Sequence, residues 1–323
     1  MPPYILAVDL GGTQIRAALC DPSGQMLRRV ARPTRAQEGR DVVLERIYRT
    51  IGEALEGTPL DQVIAIGIGA PGPLNPSTGI ILRAPNLPGW QDTPLRSLVS
   101  QRFSLPTYLG NDANLAGLAE HKYGAARGID DMIYLTISTG IGGGIITNGQ
   151  MLLGARGLAA EPGHMIIDPA GPLCGCGGHG CLETLAAGPA ITRDVVKRLQ
   201  AGKKSKISKM VNGDLSKIDA RIVDEAAQAG DRLAVAAFRR AGHALGIGIV
   251  NLLRLFNPRM IVLGGSVTKA GPLLFEPMNE VLRDPAFADY TEGLAIAQAA
   301  LGDDVGLLGA VALVVTETQT QTR

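Results

Sequence analysis

The sequence predicts an α/β protein of duplicated architecture, in which each half carries one glycine-rich loop suited to phosphate. Residues 4–8 form a short buried strand, a Gly-Gly-Thr turn follows, and strand character resumes at residues 15–20. A related pattern returns later: residues 132–137 form a strand, a Ser-Thr-Gly-Ile-Gly-Gly-Gly bend follows, and residues 145–147 resume the strand. This repetition of strand, glycine turn and strand indicates a duplication.

Apolar periodicity predicts the elements between and after the two glycine loops. Helices are predicted at residues 42–55, 112–123, 220–229 and 233–256, and strands at residues 63–69 and 260–263. Asn111 or Asp112 lies near the N-terminus of the second helix, and Asp219 is the predicted N-cap of the third. The Lys- and Ser-rich segment 203–217 has little periodic apolar content, so we expect it to be a solvated excursion.

Composition sets limits on the class of protein. The chain has 323 residues, of which 46% are hydrophobic, so it can bury a sizeable core and form two lobes. Lys and Arg number 31 against 30 Asp and Glu, a balance that gives no sign of a nucleic-acid or membrane partner, although it is compatible with a local basic patch. We see no secretory signal, and we expect the apolar stretch 305–315, too short to span a membrane, to be a buried helix. These features predict a cytoplasmic protein.

The glycine loops have the chemistry of a phosphate cradle. In the segment 11–13, Gly-Gly-Thr, the backbone N–H groups can approach a phosphate because glycine has no Cβ, and the Thr hydroxyl adds a donor. Asp9 precedes this turn and could hold Mg²⁺ through water. Either glycine loop alone could equally be an ordinary tight turn. Their pairing, together with Leu-Gly-Gly-Ser at 263–266, favours nucleotide binding.

Two other nucleotide motifs are excluded. Residues 67–72 match the dinucleotide pattern G-x-G-x-x-G and follow a strand. However, Pro71, Pro73 and Pro76 mark an irregular loop, which leaves no helix N-terminus to receive a pyrophosphate. The sequence has no G-x-x-x-x-G-K-[ST] segment either, so we expect neither a Rossmann domain nor a Walker-type NTPase.

Asp112 is the candidate general base. It follows an extended segment at 106–109 and lies where a helix begins. A carboxylate in this position could accept the proton of an attacking hydroxyl, a role worth roughly 10² to 10⁴ in rate. The competing interpretation is an N-cap Asp, and from this spacing alone the cap is the stronger interpretation.

A cluster of cysteines predicts a metal site. Cys174, Cys176 and Cys181 supply three thiolates on a glycine-rich loop, and such clustering in a cytoplasmic chain favours a metal over disulfides. The predicted fourth ligand is His164; His179 competes, but its closeness to Cys181 would strain a tetrahedral site. Four protein ligands leave no open position, so the predicted role is structural, and a disulfide is the alternative.

The metal loop would also bring polar groups together. It would hold Glu161, His164 and Glu183 close to one another, where two carboxylates and an imidazole could accept hydrogen bonds from several sugar hydroxyls. Taken singly, each of these glutamates is more often a solvated or salt-bridged surface residue.

Taken together, these motifs resemble the ROK family of sugar kinases. The matching segments are AVDLGGT at 7–13, GAPGP at 69–73, NDAN at 111–114, STGIGGG at 138–144, EPGH at 161–164, CGCGGHGCLE at 174–183 and LGG at 263–265. They occur in the family order over essentially the whole chain, and the cysteine signature is highly specific. Two positions depart from the pattern: Gln14 replaces a frequent Thr or Lys, and Pro162 could alter the approach of Glu161 to the sugar.

The resemblance implies an α/β fold of the two-lobed actin-like ATPase (ribonuclease H-like) type with a zinc-binding loop, and with ATP and sugar in the cleft between the lobes. It implies a small lobe at residues 1–115, onto which the helix 305–323 packs back, and a large lobe at 116–304. Asp112 would be the catalytic base. The implied sugar-binding residues are Gly72, Asn86, Asn111, Asp112, Glu161, His164 and Glu183; ATP and its Mg²⁺ would be bound by Asp9, Gly11, Gly12, Thr13, Thr139, Gly140 and Gly265, and a structural Zn²⁺ by His164, Cys174, Cys176 and Cys181.

The implied activity is ATP-dependent phosphorylation of the 6-hydroxyl of glucose, in a homodimer or homotetramer. Several alternatives stay open. The substrate could be N-acetylglucosamine, N-acetylmannosamine, mannose or fructose. The chain could instead be a sugar-sensing repressor of the same family, although the first strand begins by Tyr4 and leaves no room for a helix-turn-helix. A third alternative is a zinc-stabilised binding module without catalysis.

Overall fold

A computed structural model describes residues 3–321 and shows an α/β protein, as predicted. The strands are β1 Tyr4–Leu10, β2 Gln14–Cys20, β3 Met26–Pro33, β4 Val63–Ala70, β5 Leu74–Asn75, β6 Ile80–Arg83, β7 Gln91–Thr93, β8 Thr107–Asn111, β9 Met132–Ile137, β10 Ile141–Thr147, β11 Gln150–Met151, β12 Met260–Gly264 and β13 Ala295–Gln298. The α-helices are α1 Arg40–Leu55, α2 Leu95–Phe103, α3 Asp112–Lys122, α4 Leu182–Ala186, α5 Gly188–Gln200, α6 Ile207–Met210, α7 Ala220–Gln228, α8 Arg232–Phe256, α9 Pro272–Leu282, α10 Ala288–Thr291 and α11 Val305–Gln321.

The described chain divides into two compact units. Unit 1 comprises the residues up to Tyr134, Gly144–Ala160, and the residues from Ala299 onward, whereas unit 2 comprises Leu135–Gly143 and Glu161–Gln298. The chain therefore passes between the units several times. The lobe boundaries implied by the sequence, at residues 115 and 304, remain a prediction.

Two five-stranded sheets carry the duplication that the sequence suggests. The first has the order β3-β2-β1-β4-β8, in which β2 is antiparallel to both β1 and β3, and β4 is parallel to β1 and β8. The second has the order β11-β10-β9-β12-β13. A glycine turn joins β1 to β2 in the first sheet and β9 to β10 in the second. Each predicted strand lies within an observed strand, and the two glycine turns occupy corresponding places.

The four predicted helices correspond to α1, α3, α7 and α8, whereas α2, α5 and α9 were not predicted. The segment 203–217 is solvated as expected, since all its side chains except Ile207 and Val211 are exposed or partly exposed. It also contains α6 and a short 3-10 helix at Leu215–Lys217, which were not predicted because two isolated apolar residues are too few to give a period. Ile207 is fully buried and Val211 nearly so, so two apolar side chains attach this segment to unit 2.

Helix α8 is the long core helix of unit 2, where it packs against α4, α5, α7 and α9. Among the described residues it is the one helix whose length and apolar composition would allow it to cross a membrane, and 61% of its most apolar window is buried inside the structure. A core helix of a globular unit has the same composition, so this feature is weak evidence for a membrane.

Helix α11 covers one face of the first sheet. Leu307, Ala310, Val311 and Val314 are fully buried in a cluster with apolar residues of β1, β2 and β4. The helix lies close to β4 at Gly67, where an added Cβ would lie 2.2 Å from the carbonyl oxygen of Ala310. The absence of a side chain at Gly67 therefore allows this packing.

Replacing Gly67 with Ala is expected to destabilise the protein by about 1–3 kcal/mol or more, because the new methyl group must displace the backbone of α11. Urea unfolding measures the change. Gly52→Ala is the matched control: Gly52 lies within α1, and a Cβ there would meet no atom within 4 Å. This control should stabilise by roughly 0.5–1 kcal/mol through helix propensity, and equal effects of the two substitutions would contradict the packing described.

Candidate active site

The first glycine turn is held in shape by Thr34. The backbone N–H of Gly11 donates to the carbonyl of Gln14 at 2.9 Å, which closes the turn between β1 and β2. The Thr34 N–H donates to the Thr13 carbonyl at 2.8 Å, and its hydroxyl donates to the Gly11 carbonyl at 2.6 Å. Two loop carbonyls are thus bonded to a buried threonine. The sequence motif gave no indication of Thr34, which lies beyond the next two strands.

Asp9 lies at the end of β1 beside an arginine that sequence analysis missed. Its Oδ2 lies 3.3 Å from Nε of Arg16, and the Arg16 Nη1 donates to the Asp303 carbonyl at 2.5 Å. Burial raises the pKa of the Asp9 carboxyl, and the positive charge of Arg16 opposes this effect. A carboxylate oxygen is a donor that Mg²⁺ prefers, so Asp9 fits the predicted role.

The start of α3 separates the roles of Asn111 and Asp112. The side-chain oxygen of Asn111 accepts from the N–H groups of Ala113 and Asn114, at 3.0 and 3.1 Å, and is therefore the N-cap. The alternative interpretation of Asp112 as the cap is wrong. Asp112 is the first residue of the helix, half-buried, and its Oδ1 accepts a 2.8 Å hydrogen bond from the same Ala113 N–H. The positive end of the helix dipole favours a carboxylate at this position.

Among the predicted sugar residues of unit 1, Gly72 and Asn86 lie on two irregular loops, and Asn111 is the last residue of β8. The Asn111 side-chain amide donates to the carbonyl of Gly72 at 3.4 Å, so the structure brings these two residues together. Asn86 is exposed on a loop that is anchored by Trp90, of which only 2% is exposed. That loop contacts the first glycine turn, because a Cβ added to Gly12 would lie 2.9 Å from the Cβ of Asn86.

The second glycine turn, in unit 2, meets the Gly-Gly-Ser segment that ends β12. Ser138 closes the turn, since its N–H donates to the Gly140 carbonyl at 2.9 Å. Its hydroxyl lies 3.0 Å from that of Ser266, the residue that follows Gly265. The exposed Thr139 occupies the tip of the turn. The structure therefore brings together Thr139, Gly140 and Gly265, three residues implied in nucleotide binding.

A cavity of about 250 Å³ opens beside this segment of unit 2. Its lining residues are Ala220, Arg221, Asp224, Phe238, Ser266, Val267, Lys269 and Ala270. Apart from Ser266 in the Leu-Gly-Gly-Ser segment, the sequence analysis assigned none of them, because they come from three separate parts of the chain. The lining combines apolar side chains with three charged ones, a composition that suits a small molecule.

The metal-ligand cluster forms in unit 2 as predicted. The ligand atoms of His164, Cys174, Cys176 and Cys181 all lie within 4.8 Å of one another. The Cys176 and Cys181 sulfurs are 3.7 Å apart, and the Cys174 sulfur lies 3.6 Å from Nδ1 of His164. A zinc tetrahedron with metal–sulfur bonds of about 2.3 Å has sulfur–sulfur edges of about 3.8 Å, so the cluster fits Zn²⁺. His179 is not part of the cluster, because its Nδ1 faces the Gly171 carbonyl at 3.2 Å.

The thiols of this cluster differ in acidity. Burial raises the pKa of Cys174, and it raises the pKa of Cys181 to about 12. The backbone N–H of Gly178, which donates to the Cys176 sulfur, lowers the pKa of Cys176. All four cysteines of the chain are free thiols, so the disulfide alternative is not seen. Metal ligation requires thiolates, and a bound dication would stabilise the buried thiolates of Cys174 and Cys181.

Glu183 links the metal cluster to the second glycine turn. Its Oε2 accepts the backbone N–H of Ile141 at 2.9 Å, and its Oε1 lies 3.9 Å from the Cys174 sulfur. A Cβ on Gly140 would lie 2.5 Å from the same Oε2. Glu161 lies at the edge of this group. Desolvation raises the pKa of its carboxyl, His164 opposes this effect, and the nearby Glu183 carboxylate adds to it.

Comparison with known proteins agrees with these features. Residues 5–317 match the ROK family. The chain is 36% identical to a glucokinase of Thermotoga maritima over 96% of each chain, and 32% identical to a xylose repressor of Caldicellulosiruptor bescii, over 97% of this chain and 78% of the repressor. The crystal structure of a ROK family glucokinase from Streptomyces griseus in complex with glucose and AMPPNP is similar at a TM-score of 0.80 and 35% identity, covering 96% of this chain and 98% of that chain.

Proposed function

We propose that this chain, which belongs to the ROK family, is a kinase that transfers the γ-phosphoryl group of ATP to the 6-hydroxyl of glucose. The observation that carries the proposal is the similarity to a glucokinase over 96% of both chains. This chain also has a carboxylate, Asp112, at the opening of α3 and a complete set of four metal ligands. The family fold is that of the actin-like ATPases.

Asp112 is the proposed catalytic base. Its carboxylate takes the proton of the 6-hydroxyl while that oxygen bonds to the γ-phosphorus, and the bond from phosphorus to the β–γ bridging oxygen breaks to release ADP. The proton then resides on Asp112. Mg²⁺ bound with ATP supplies positive charge to the phosphates, and Asp9 is the residue that would hold it. The N–H groups of the two glycine turns would stabilise the phosphate oxygens.

The remaining proposed roles concern the sugar and the zinc. We assign sugar binding to Gly72, Asn86 and Asn111 in unit 1 and to Glu161, His164 and Glu183 in unit 2. His164 presents Nδ1 to the metal cluster, so its Nε2 is the nitrogen assigned to the sugar. A structural zinc would fix the loop that carries these acceptors, because a metal with four protein ligands has no open position for chemistry.

The proposal extends to the location and the oligomeric state of the enzyme. We propose that it is cytoplasmic and forms a homodimer or homotetramer, as expected from its family. The cavity beside Gly265 is the assigned place for the nucleotide base, because its apolar walls can pack against an aromatic ring.

A coupled assay of ADP release over a panel of hexoses tests the proposal. Glucose should give the highest kcat/KM, with little ADP released when sugar is omitted. The panel includes N-acetylglucosamine, N-acetylmannosamine, mannose and fructose. A preference for one of these would end the glucose assignment only. Release of no ADP with any hexose would favour a repressor or a binding module, and the kinase proposal would fail.

The contact of Gly12 with Asn86 gives a second test. Gly12→Ala should lower kcat/KM for glucose about 10²-fold, because a methyl group 2.9 Å from the Asn86 Cβ displaces a proposed sugar ligand. Asn86→Gly removes that Cβ, so the Gly12→Ala change should have a smaller effect in the Asn86→Gly background. A double-mutant cycle on kcat/KM measures the coupling. Purely additive effects would show that the contact has no functional role.

A further inference from the structure

A second ligand site is suggested by an accumulation of positive charge on unit 2. A cavity of about 260 Å³ is lined by five cationic side chains, Arg198, Lys203, Lys204, Arg232 and Arg240, and by no acidic residue. We name it the basic cavity. It lies between the last turn of α5, the loop that follows, and the first turns of α8. The overall charge of the chain is nearly balanced, so this concentration is local.

Most of this charge has no counterion in the protein. Asp194 pairs with Arg198, at 3.0 Å from Nε, and with Arg240. Lys203, Lys204 and Arg232 have no side-chain hydrogen bond or ion pair within residues 3–321. The two paired arginines are thus oriented, and the other three cations are available to a ligand.

The helix ends account for one of these charges and not for the others. A cation in the last turn of a helix interacts favourably with the helix dipole, which explains Arg198. Arg232 is the first residue of the 25-residue helix α8, where the dipole favours an anion, and the neighbouring Asp231 carboxylate supplies that anion. The helix dipole therefore does not require Arg232 or the two lysines beside it in the cavity.

The loop that carries the lysines is fixed. The N–H of Lys203 donates to the Arg198 carbonyl at 3.0 Å at the end of α5. Asp231 then holds the following residues, because its Oδ2 accepts from the Ser205 hydroxyl at 2.9 Å and from the Lys206 N–H at 2.7 Å. Its Oδ1 caps α8, so the first N–H groups of that helix are already bonded and the ligand-binding groups are the side chains.

We propose that the basic cavity binds a phosphate dianion, either free or carried by a small sugar. Arginine offers paired donors for phosphate oxygens, and lysine adds point charges. A volume of about 260 Å³ accommodates a phosphate with a small organic group, and the side chains of Leu233 and Ala236 supply apolar contact.

Calorimetric titration of the full chain at low ionic strength tests this site, with inorganic phosphate and glucose 6-phosphate as separate probes. In Lys203→Glu/Lys204→Glu the dissociation constant should rise about tenfold or more, because two attractive charges become repulsive. Both lysines are exposed, so the variant should retain its Tm. The matched control is Lys209→Glu/Arg259→Glu, which changes the net charge equally at exposed positions outside the cavity and should leave the dissociation constant within about twofold.

The comparison of probes identifies the source of the anion. Tighter binding of glucose 6-phosphate than of inorganic phosphate assigns a sugar phosphate, and equal binding assigns free phosphate. Equal weakening by both double variants, no weakening by the lysine variant, or no binding of either probe would overturn the proposal. The titrations contain no ATP, so no turnover occurs. Glucose 6-phosphate is also the product of the proposed reaction, and its binding at the proposed active site is distinguished by the lysine variant, which should weaken binding at the basic cavity alone.

Discussion

Asp112→Asn is expected to reduce kcat by about 10² to 10⁴ and to leave the protein folded. The amide has the shape of the carboxylate but cannot take the proton of the attacking hydroxyl. The fold should tolerate the change because Asn111, and not Asp112, caps α3, and because the amide oxygen can still accept the 2.8 Å hydrogen bond from Ala113. Glucose affinity should change much less than turnover.

Turnover by the coupled assay, glucose binding by calorimetry and Tm together test this prediction. Asn111→Ala serves as the contrasting variant, since loss of the cap should cost about 0.5–2 kcal/mol of stability. Near-normal turnover in a folded Asp112→Asn variant would end the assignment of the base. A large fall in Tm for the same variant would show that its carboxylate has a structural role.

The local sequence pattern was sufficient to predict those helices and strands whose apolar residues recur with a clear period. Strand β4 and helix α8 are buried along most of their length, and both were predicted to within one residue at each end. Strand β3 was missed because it lies at the edge of its sheet with an exposed run of arginines, so no apolar face appears in the sequence. Its pairing with β2 supplies the stability that its own side chains do not indicate.

In the candidate site, too, some features could be predicted from the sequence and others could not. The metal ligands could be predicted because three of the four lie within eight residues, and their chemistry is specific to thiolates and imidazole. The ion pair of Asp9 with Arg16 and the hydrogen bond from Ile141 to Glu183 could not be predicted. Neither the type of these residues nor their spacing in the sequence distinguishes them from ordinary surface residues. Such contacts depend on how separate segments meet in the folded chain.

Cys181→Ser is expected to abolish stoichiometric zinc binding and to weaken glucose binding. The loop from Gly171 to Cys181 contains no α-helix and no extended strand pairing: turn hydrogen bonds and isolated bridges hold its backbone, and the side chain of Leu173 is 66% exposed. Cys181 directly precedes α4, which carries Glu183. Without the metal, the start of α4 loses its anchor, and the proposed sugar acceptors lose their fixed positions.

Zinc content by elemental mass spectrometry, Tm, and glucose affinity should therefore fall together in Cys181→Ser. Each kcal/mol of lost stability lowers Tm by about 1.5 °C in a chain of 323 residues, since the unfolding entropy is about 2.1 cal/mol/K per residue. His179→Ala is the matched control in the same loop, because His179 faces the Gly171 carbonyl and not the cluster, so its zinc content should stay at one ion per chain. If Cys181→Ser retained a full equivalent of zinc, or if His179→Ala lost it, the ligand set would be wrong. Loss of zinc without any change in glucose affinity would separate the metal from the sugar site, because the Glu183 carboxylate would then be positioned by its bond to Ile141 alone.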